Sequence, residues 1–256
     1  MRLPSAFTIA VLVLGLAGCG GDSTPEAASE TVSPAASVAP PGPEARDELA
    51  GLAAMAQDRR YAALYTFDVG DGNPRDVVAS VADDGTWRVD IPLGALGGTA
   101  GVTIIKVAAG VYQCGLTTPA RPVSPTCVRV AERGDKVPRR YDPKVQRLFR
   151  QWLTVFTDRK APLVVSAVRP LAGAQGSCYA VDSVSAALDP PVDVGIYCYS
   201  PDGLLTAARV EYGVLKLVRQ VDGPPTLQLP GPEVAGEPMG MASPPPVVQP
   251  SAVAPS

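Results

Sequence analysis

The chain of 256 residues has 22 basic and 25 acidic side chains, a formal net charge of −3 and no histidine. Without histidine, Ser-His-Asp and Cys-His catalysis are excluded and the commonest metal ligand is missing. The balanced charge, with no long run of Lys or Arg, also lacks the basic footprint of a nucleic-acid-binding protein. We therefore expect no enzymatic activity, no cofactor and no metal, although a pair of carboxylates assembled by the fold stays open as a catalytic arrangement.

The first residues have the features of an export signal. Arg2 precedes an apolar stretch at residues 6–16, which is too short to cross a bilayer because a crossing helix needs about 20 residues. The sequence Leu16-Ala17-Gly18-Cys19 resembles the lipobox of bacterial lipoproteins. This resemblance implies cleavage before Cys19 and attachment of fatty acyl chains such as palmitate to it. We predict a signal peptide at residues 1–18 and a protein anchored by Cys19 at the extracytoplasmic face of the cell membrane.

Composition divides the remaining chain into three parts. Residues 19–43 consist mostly of Gly, Ser, Thr, Ala, Pro and Glu, and residues 231–256 are rich in Pro, Ala, Gly, Ser and Val. Such segments have too few bulky apolar residues to offset the entropy of ordering, so we expect both to be disordered. The first would be a tether. The second would be a solvated tail or, alternatively, a docking peptide or a wall-spanning segment. Residues 44–230 between them have the length of one domain.

The first half of this domain predicts a helix followed by strands. Residues 44–60 predict a helix because Leu49, Leu52, Ala53 and Ala56 recur at helical spacing. Alternating apolar and polar residues, bounded by Asp, Gly and Asn, then predict strands joined by turns. These strands are expected at residues 61–69, 76–82, 86–91, 102–108, 111–116 and 127–132.

A second helix is predicted at residues 143–157, with Asp142 as its cap and Pro143 at its first position. Its apolar stripe is expected to pack on a sheet or to line a ligand cavity. The stripe consists of Val145, Leu148, Phe149, Trp152, Leu153 and Phe156. Alternation then returns and predicts strands at residues 163–168, 177–182, 192–199, 204–212 and 214–221. The predicted fold class is α+β with an antiparallel sheet.

Four cysteines lie in the domain: Cys114, Cys127, Cys178 and Cys198. Outside the cytoplasm an even number indicates two disulfides, and four cysteines allow three pairings. We favour the local pairing, 114 with 127 and 178 with 198, because each bridge would join neighbouring strands. A zinc site with four thiolates is the alternative, but neither pair has the close spacing of zinc ligands.

The order of these elements is similar to that of the LolA/LolB superfamily, including LppX/LprG-type envelope lipoproteins. The resemblance covers residues 44–230, and its most suggestive piece is Tyr197-Cys198-Tyr199 followed by Asp202-Gly203-Leu204-Leu205. It implies a curved antiparallel sheet, or unclosed β-barrel, with the N-terminal and central helices packed on its concave face. It also implies an apolar cavity that takes acyl chains.

A surplus of apolar residues points to the same cavity, between the sheet and the central helix. We expect it to be lined by aromatic side chains from the first strand and that helix, namely Tyr65, Phe67, Phe149, Trp152 and Phe156. The sequence thus predicts a monomeric envelope lipoprotein that binds or carries a lipid or another lipophilic molecule. The alternative is a non-enzymatic protein-interaction module of the cell envelope, whose apolar area would form an exposed patch.

Overall fold

The computed structural model describes residues 42–117, 122, 124–185 and 190–243. The predicted signal peptide, Cys19, most of the predicted tether and the last residues of the predicted tail lie outside this part of the chain. The described residues form an α+β fold with two α-helices and an unclosed antiparallel sheet of eleven strands. This confirms the predicted class and the antiparallel sheet. Neither described helix is long and apolar enough to cross a membrane.

The helices and strands follow one another in the order that the sequence predicts. The helices are α1 (Pro43–Asp58) and α2 (Gln151–Thr157). The strands are β1 (Tyr61–Asp68), β2 (Arg75–Val81), β3 (Trp87–Ala95), β4 (Ala100–Val107), β5 (Gly110–Gly115), β6 (Cys127–Ala131), β7 (Leu163–Val168), β8 (Ser177–Ser183), β9 (Gly195–Tyr199), β10 (Leu205–Val210) and β11 (Gly213–Val221).

The sheet consists of two meanders that meet at its centre. The strand order is β6-β5-β4-β3-β2-β1-β11-β10-β9-β8-β7, so strands β1 to β6 form one meander and strands β7 to β11 form the other. They are joined by the antiparallel pairing of β1 with β11, in which Phe67 lies opposite Leu215. We call this pairing the central ladder.

The main core contains the inward-facing residues of the strands together with residues of both helices. Strand β1 shows why alternation locates this face: Tyr61, Ala63, Tyr65 and Phe67 are buried, and the residues between them are partly exposed. Because successive side chains in a strand point to opposite faces, this pattern places every second residue in the core.

Helix α1 contributes a narrow stripe of small and aliphatic residues to the core. Ala45, Leu49, Ala53 and Ala56 are buried and lie at helical spacing. The Arg46 guanidinium donates hydrogen bonds of 2.8–2.9 Å to the carbonyl oxygens of residues 158, 161 and 163. These bonds fix the start of α1 against the beginning of β7.

The prediction of one continuous helix over residues 143–157 is wrong. Residues Lys144–Leu148 form a 3₁₀ helix, Arg150 leaves helical geometry with φ −135°, and the α-helix proper begins at Gln151. Asp142 is not the predicted cap, since its carboxylate accepts hydrogen bonds from the side chains of Gln146 and Arg147. A tight first turn brings both donors to one carboxylate. All six residues of the predicted apolar stripe are nevertheless buried.

The packed part of the chain extends past the boundary that we predicted at Pro230. The backbone of residues 232–234 forms hydrogen bonds of 2.9 Å with both the N–H and the carbonyl of Cys127, which adds a short parallel bridge to β6. Further along, Gln113 binds both backbone groups of Met239 through its side-chain amide. Residues 231–243 therefore lie hydrogen-bonded across the first meander, where we had expected disorder.

Both disulfides have the predicted local pairing. Cys114 is bonded to Cys127, and Cys178 is bonded to Cys198. Each pair lies directly opposite in an antiparallel ladder, the first between β5 and β6 and the second between β8 and β9. The two bridges belong to separate small apolar clusters. Each bridge therefore joins two neighbouring strands in a different half of the sheet.

Candidate functional site

A groove lies between strands β3 to β5 and the chain segment that contains α2. Its volume is about 930 Å³, which falls within the range of roughly 300–1,000 Å³ that is typical of small-molecule sites. Residues of the three strands, residues between 146 and 155 and the loops at residues 133–137 and 158–162 line it. We call this cavity the groove.

Three residues from neighbouring strands line the groove on the side of the sheet. Trp87 of β3 lies opposite Lys106 of β4, and Lys106 lies opposite Val111 of β5. Directly opposite residues of antiparallel strands project from the same face of the sheet. Trp87 and Val111 are buried in the main core. Lys106 therefore lies on the core-facing side of the sheet, between two apolar side chains.

Trp87, Lys106 and Val111 belong to a row of directly opposite residues that continues across the sheet, and none of its other members is charged. Tyr61 lies opposite Val81, Val81 lies opposite Trp87, and Val111 lies opposite Ala131. Lys106 is the charged member of this row of six. An ammonium group on a core-facing row loses hydration, which has a free-energy cost unless another group compensates for it. Packing alone therefore does not explain why this position of β4 carries a lysine.

Arg150 lines the opposite side of the groove, directly before α2. Its Nη1 atom donates a hydrogen bond of 3.1 Å to the carbonyl oxygen of Gln57 in the last turn of α1. The Gln57 side chain in turn donates to the hydroxyl of Thr157, at 3.4 Å. These contacts hold the guanidinium beside the groove and connect the ends of the two helices.

The groove has an excess of positive charge. Its lining contains two acidic residues, Asp135 and Asp158, and the five basic residues Lys106, Arg133, Lys136, Arg150 and Lys160. Within the described part of the chain, no ion pair joins any of these five to a carboxylate.

Burial and mutual repulsion both act on this basic group. Burial lowers the pKa of Lys106, and the nearby positive charges of Arg133 and Arg150 lower it further. Burial also lowers the pKa of Arg150, and the charge of Arg60 acts in the same direction, whereas Tyr61 and Asp58 oppose the shift. Both effects destabilise the charged forms, so a negatively charged ligand would relieve them.

The aromatic residues that we expected to line a cavity are packed against one another and against the sheet. The rings of Tyr65 and Phe149 have centroids 5.0 Å apart, and Phe156 contacts Tyr197 at the same distance. The Tyr65 hydroxyl donates a 3.0 Å hydrogen bond to the carbonyl of Leu205. These side chains belong to the main core rather than to the lining of the groove.

Phe67 and Trp152, the other two expected cavity residues, occupy different surroundings. Phe67 packs edge-on against Tyr212 and lines a separate pocket of about 200 Å³. The Trp152 indole N–H donates a 3.1 Å hydrogen bond to the Asp193 carboxylate. The structure thus brings the five residues into the core but does not arrange them around one shared space.

A buried network of charges supports the segment that carries α2. The Arg147 Nε atom lies 2.6 Å from Asp142, and its Nη1 atom lies 3.7 Å from Asp193. Tyr212 also donates a hydrogen bond of 2.8 Å to Asp193. Burial raises the pKa of Asp142, although the Arg147 charge and hydrogen bonds oppose this effect. The network holds residues 142–152 in place beside the groove.

The residues of the groove escaped the sequence prediction, although one of them carries a readable signal. In β4, Val102 and Ile104 occupy the core-facing positions that alternate with Lys106. When a lysine occupies a position where the alternation of a strand predicts an apolar residue, its charge is expected to face the core. Arg150 gave no such signal because its position depends on the break before α2.

No family model matches the chain, and a search of curated proteins found no significant match. The described residues also contain no cluster of three or more His, Cys, Asp or Glu side chains that could hold a metal ion.

Proposed function

We propose that this protein is a lipid-anchored lipoprotein of the cell envelope whose domain binds a lipophilic molecule in the groove. The observation that carries the proposal is a groove of about 930 Å³ at the edge of the main core, with Trp87, Val111, Val137 and Val155 among its lining residues. Apolar surface of this kind binds hydrocarbon by removing it from water, at about 25 cal/mol per Å².

The architecture supports the same proposal. An unclosed eleven-stranded sheet leaves one face available to enclose helices and a ligand together. In the proposed arrangement the sheet curves, and α1 and the segment around α2 occupy its concave face. The groove is then the part of that concave face that side chains leave unfilled. The ligand lies between β3 to β5 and α2, beside the region where the sequence predicted a cavity.

Filling the groove should abolish most of the binding. Val155 is partly exposed and lines the groove, so Val155→Trp places an indole in the space of the ligand. Losing roughly 60 Å² of apolar contact costs about 1.5 kcal/mol, or about tenfold in affinity. We expect a fluorescent fatty acid to bind the variant at least tenfold more weakly, as measured by fluorescence titration of the full-length chain carrying Cys19→Ser, which has no acyl chains of its own.

A matched control is Val218→Trp, which adds the same side chain at a position on β11 that is 55% exposed. This variant should bind like the parent protein. If the parent binds no fatty acid, and native mass spectrometry of it detects only the bare polypeptide, the proposed ligand binding is refuted and the protein-interaction alternative takes its place.

The anchor is tested separately by Cys19→Ser. Two or three acyl chains hold a protein at a membrane far more firmly than one does. We expect the parent protein to remain in the membrane pellet after a high-salt wash, whereas the variant is either soluble or an uncleaved precursor of higher mass. Identical mass and identical fractionation of parent and variant would contradict the anchor.

A further inference from the structure

Lys106 is a partly buried lysine on a core-facing row, and it has no ion-pair partner within the described chain. Lys106 occupies the core-facing row between Trp87 and Val111, and no carboxylate within the described residues forms an ion pair with it. Arg133 and Arg150 line the same groove, and their charges act on Lys106. Three cations thus converge on a space that also has apolar walls.

The acidic residues of the groove do not neutralise this cluster. Asp135 and Asp158 are exposed and belong to the loops on either side of α2 and its preceding segment. Arg150 donates one hydrogen bond to the Gln57 carbonyl. The charge of the exposed Asp58 acts on its guanidinium, but no ion pair within the described residues joins Arg150 to a carboxylate. A planar guanidinium and an ammonium group are the side chains that best bind phosphate and carboxylate oxygens.

We propose that the ligand is an anionic amphiphile, with Lys106, Arg133 and Arg150 binding its phosphate or carboxylate group and Trp87, Val111 and Val155 contacting its hydrocarbon chain. This inference rests on the proposed function and specifies its ligand. The charge complementarity explains a lysine on a core-facing row, because the ammonium group gains a charged partner in the bound state. It also predicts that binding weakens as salt screens the partly exposed charges.

The test compares three probes on the full-length chain carrying Cys19→Ser, at concentrations below micelle formation. Dodecyl phosphate carries both the chain and the anion, dodecyl maltoside carries the chain without charge, and inorganic phosphate carries the anion alone. Isothermal titration should show that dodecyl phosphate binds about tenfold or more tightly than dodecyl maltoside, the difference expected for one charged hydrogen bond. Inorganic phosphate should bind far more weakly than either.

Substitutions then locate the anion. Lys106→Met keeps most of the length of the side chain and removes its charge, and it should eliminate most of the preference for dodecyl phosphate. Lys106→Arg should retain that preference, which shows that the loss in the first variant is due to charge. Lys216→Met removes a charge from an exposed position of β11 and should change nothing. Thermal unfolding of each variant confirms that it is folded.

The possible failures are distinguishable. Equal binding of the two dodecyl probes, unchanged by Lys106→Met, would overturn the anion site and leave the proposed lipophilic ligand standing. Inorganic phosphate that binds as tightly as dodecyl phosphate would overturn the amphiphile and indicate a site for a free anion. The absence of binding by any probe would overturn both this inference and the proposed function.

Discussion

Replacing all four paired cysteines with alanine should leave most of the protein unfolded at physiological temperature. In the chain-entropy model, the bridges close loops of 13 and 20 residues, and each contributes about 3 kcal/mol. The two contributions should add, to about 6 kcal/mol, because the bridges lie in separate clusters on different sides of the sheet. Domains are stable by only about 5–15 kcal/mol in total.

The two paired variants are the matched controls for this prediction. Cys114→Ala with Cys127→Ala, and Cys178→Ala with Cys198→Ala, should each remain folded but lose about 3 kcal/mol in urea unfolding. Circular dichroism of the fourfold variant at increasing temperature checks the main result. A fourfold variant with the cooperative transition of the parent protein would show that the bridges do not contribute the stability we expect.

Arg147→Met should destabilise the protein by about 3–5 kcal/mol, because it leaves a buried carboxylate without its counter-charge. The side chain of Asp142 is 2% exposed and that of Arg147 is 12% exposed. Methionine keeps much of the volume, so the loss reflects charge rather than a cavity. Urea unfolding at neutral pH measures the effect. Arg159→Met, at an ion pair whose arginine is 78% exposed, is the control and should show no measurable change.

The pH dependence provides a second check on the same pair. Burial raises the pKa of Asp142 in the folded protein above its ordinary value of 3.8, so the folded state holds this proton more tightly than the unfolded state does. The stability that this provides is complete below pH 3.8 and is lost as the pH rises through the folded pKa. Removing the Arg147 charge raises the pKa of Asp142 further and widens the pH range over which its protonated form stabilises the folded state.

The loss in unfolding free energy that Arg147→Met causes, relative to the parent protein, should therefore be small in acid and grow toward neutral pH. The control compares the double variant Asp142→Asn with Arg147→Met against Asp142→Asn alone. Neither protein has the Asp142 carboxylate, so the difference in their unfolding free energies should not vary with pH in this range. An Arg147→Met deficit that stays constant from acid to neutral pH would contradict the assignment of the effect to Asp142.

Strands could be predicted from the sequence because their signal is local. The expected strand at residues 163–168 coincides with β7, and the alternation in β1 identified its buried face. The disulfide pairing followed from the same signal, since both pairs lie on neighbouring strands. Long-range features had no such signal. The central ladder joins residues near positions 65 and 217, and no local pattern indicates which distant strands will pair.

The remaining differences arise where tertiary contacts decide the local structure. The predicted central helix is interrupted at Arg150, and its first part is a 3₁₀ helix. This part lies next to the buried pair of Asp142 and Arg147, whose interaction depends on burial by other parts of the chain. Residues 231–243 are held by backbone groups and by the Gln113 amide, so their Pro- and Gly-rich composition hid their packing. The five aromatic residues that we expected around a cavity pack into the core. The groove is lined instead by residues such as Lys106 and Arg150, which the sequence analysis did not single out.

The central ladder also determines how the entropic cost of closing loops during folding is distributed along the chain. Within each meander, neighbours in the sheet are neighbours in sequence, so nearly every ladder forms by closing a short loop. The pairing of β1 with β11 instead closes a loop that contains all the other strands. Loop-closure entropy grows with the logarithm of length, at about (3/2)RT ln n. Within the eleven-stranded sheet, the large cost of closing a long loop therefore falls on one pairing, at the middle of the sheet, whereas contacts of low sequence separation organise each half.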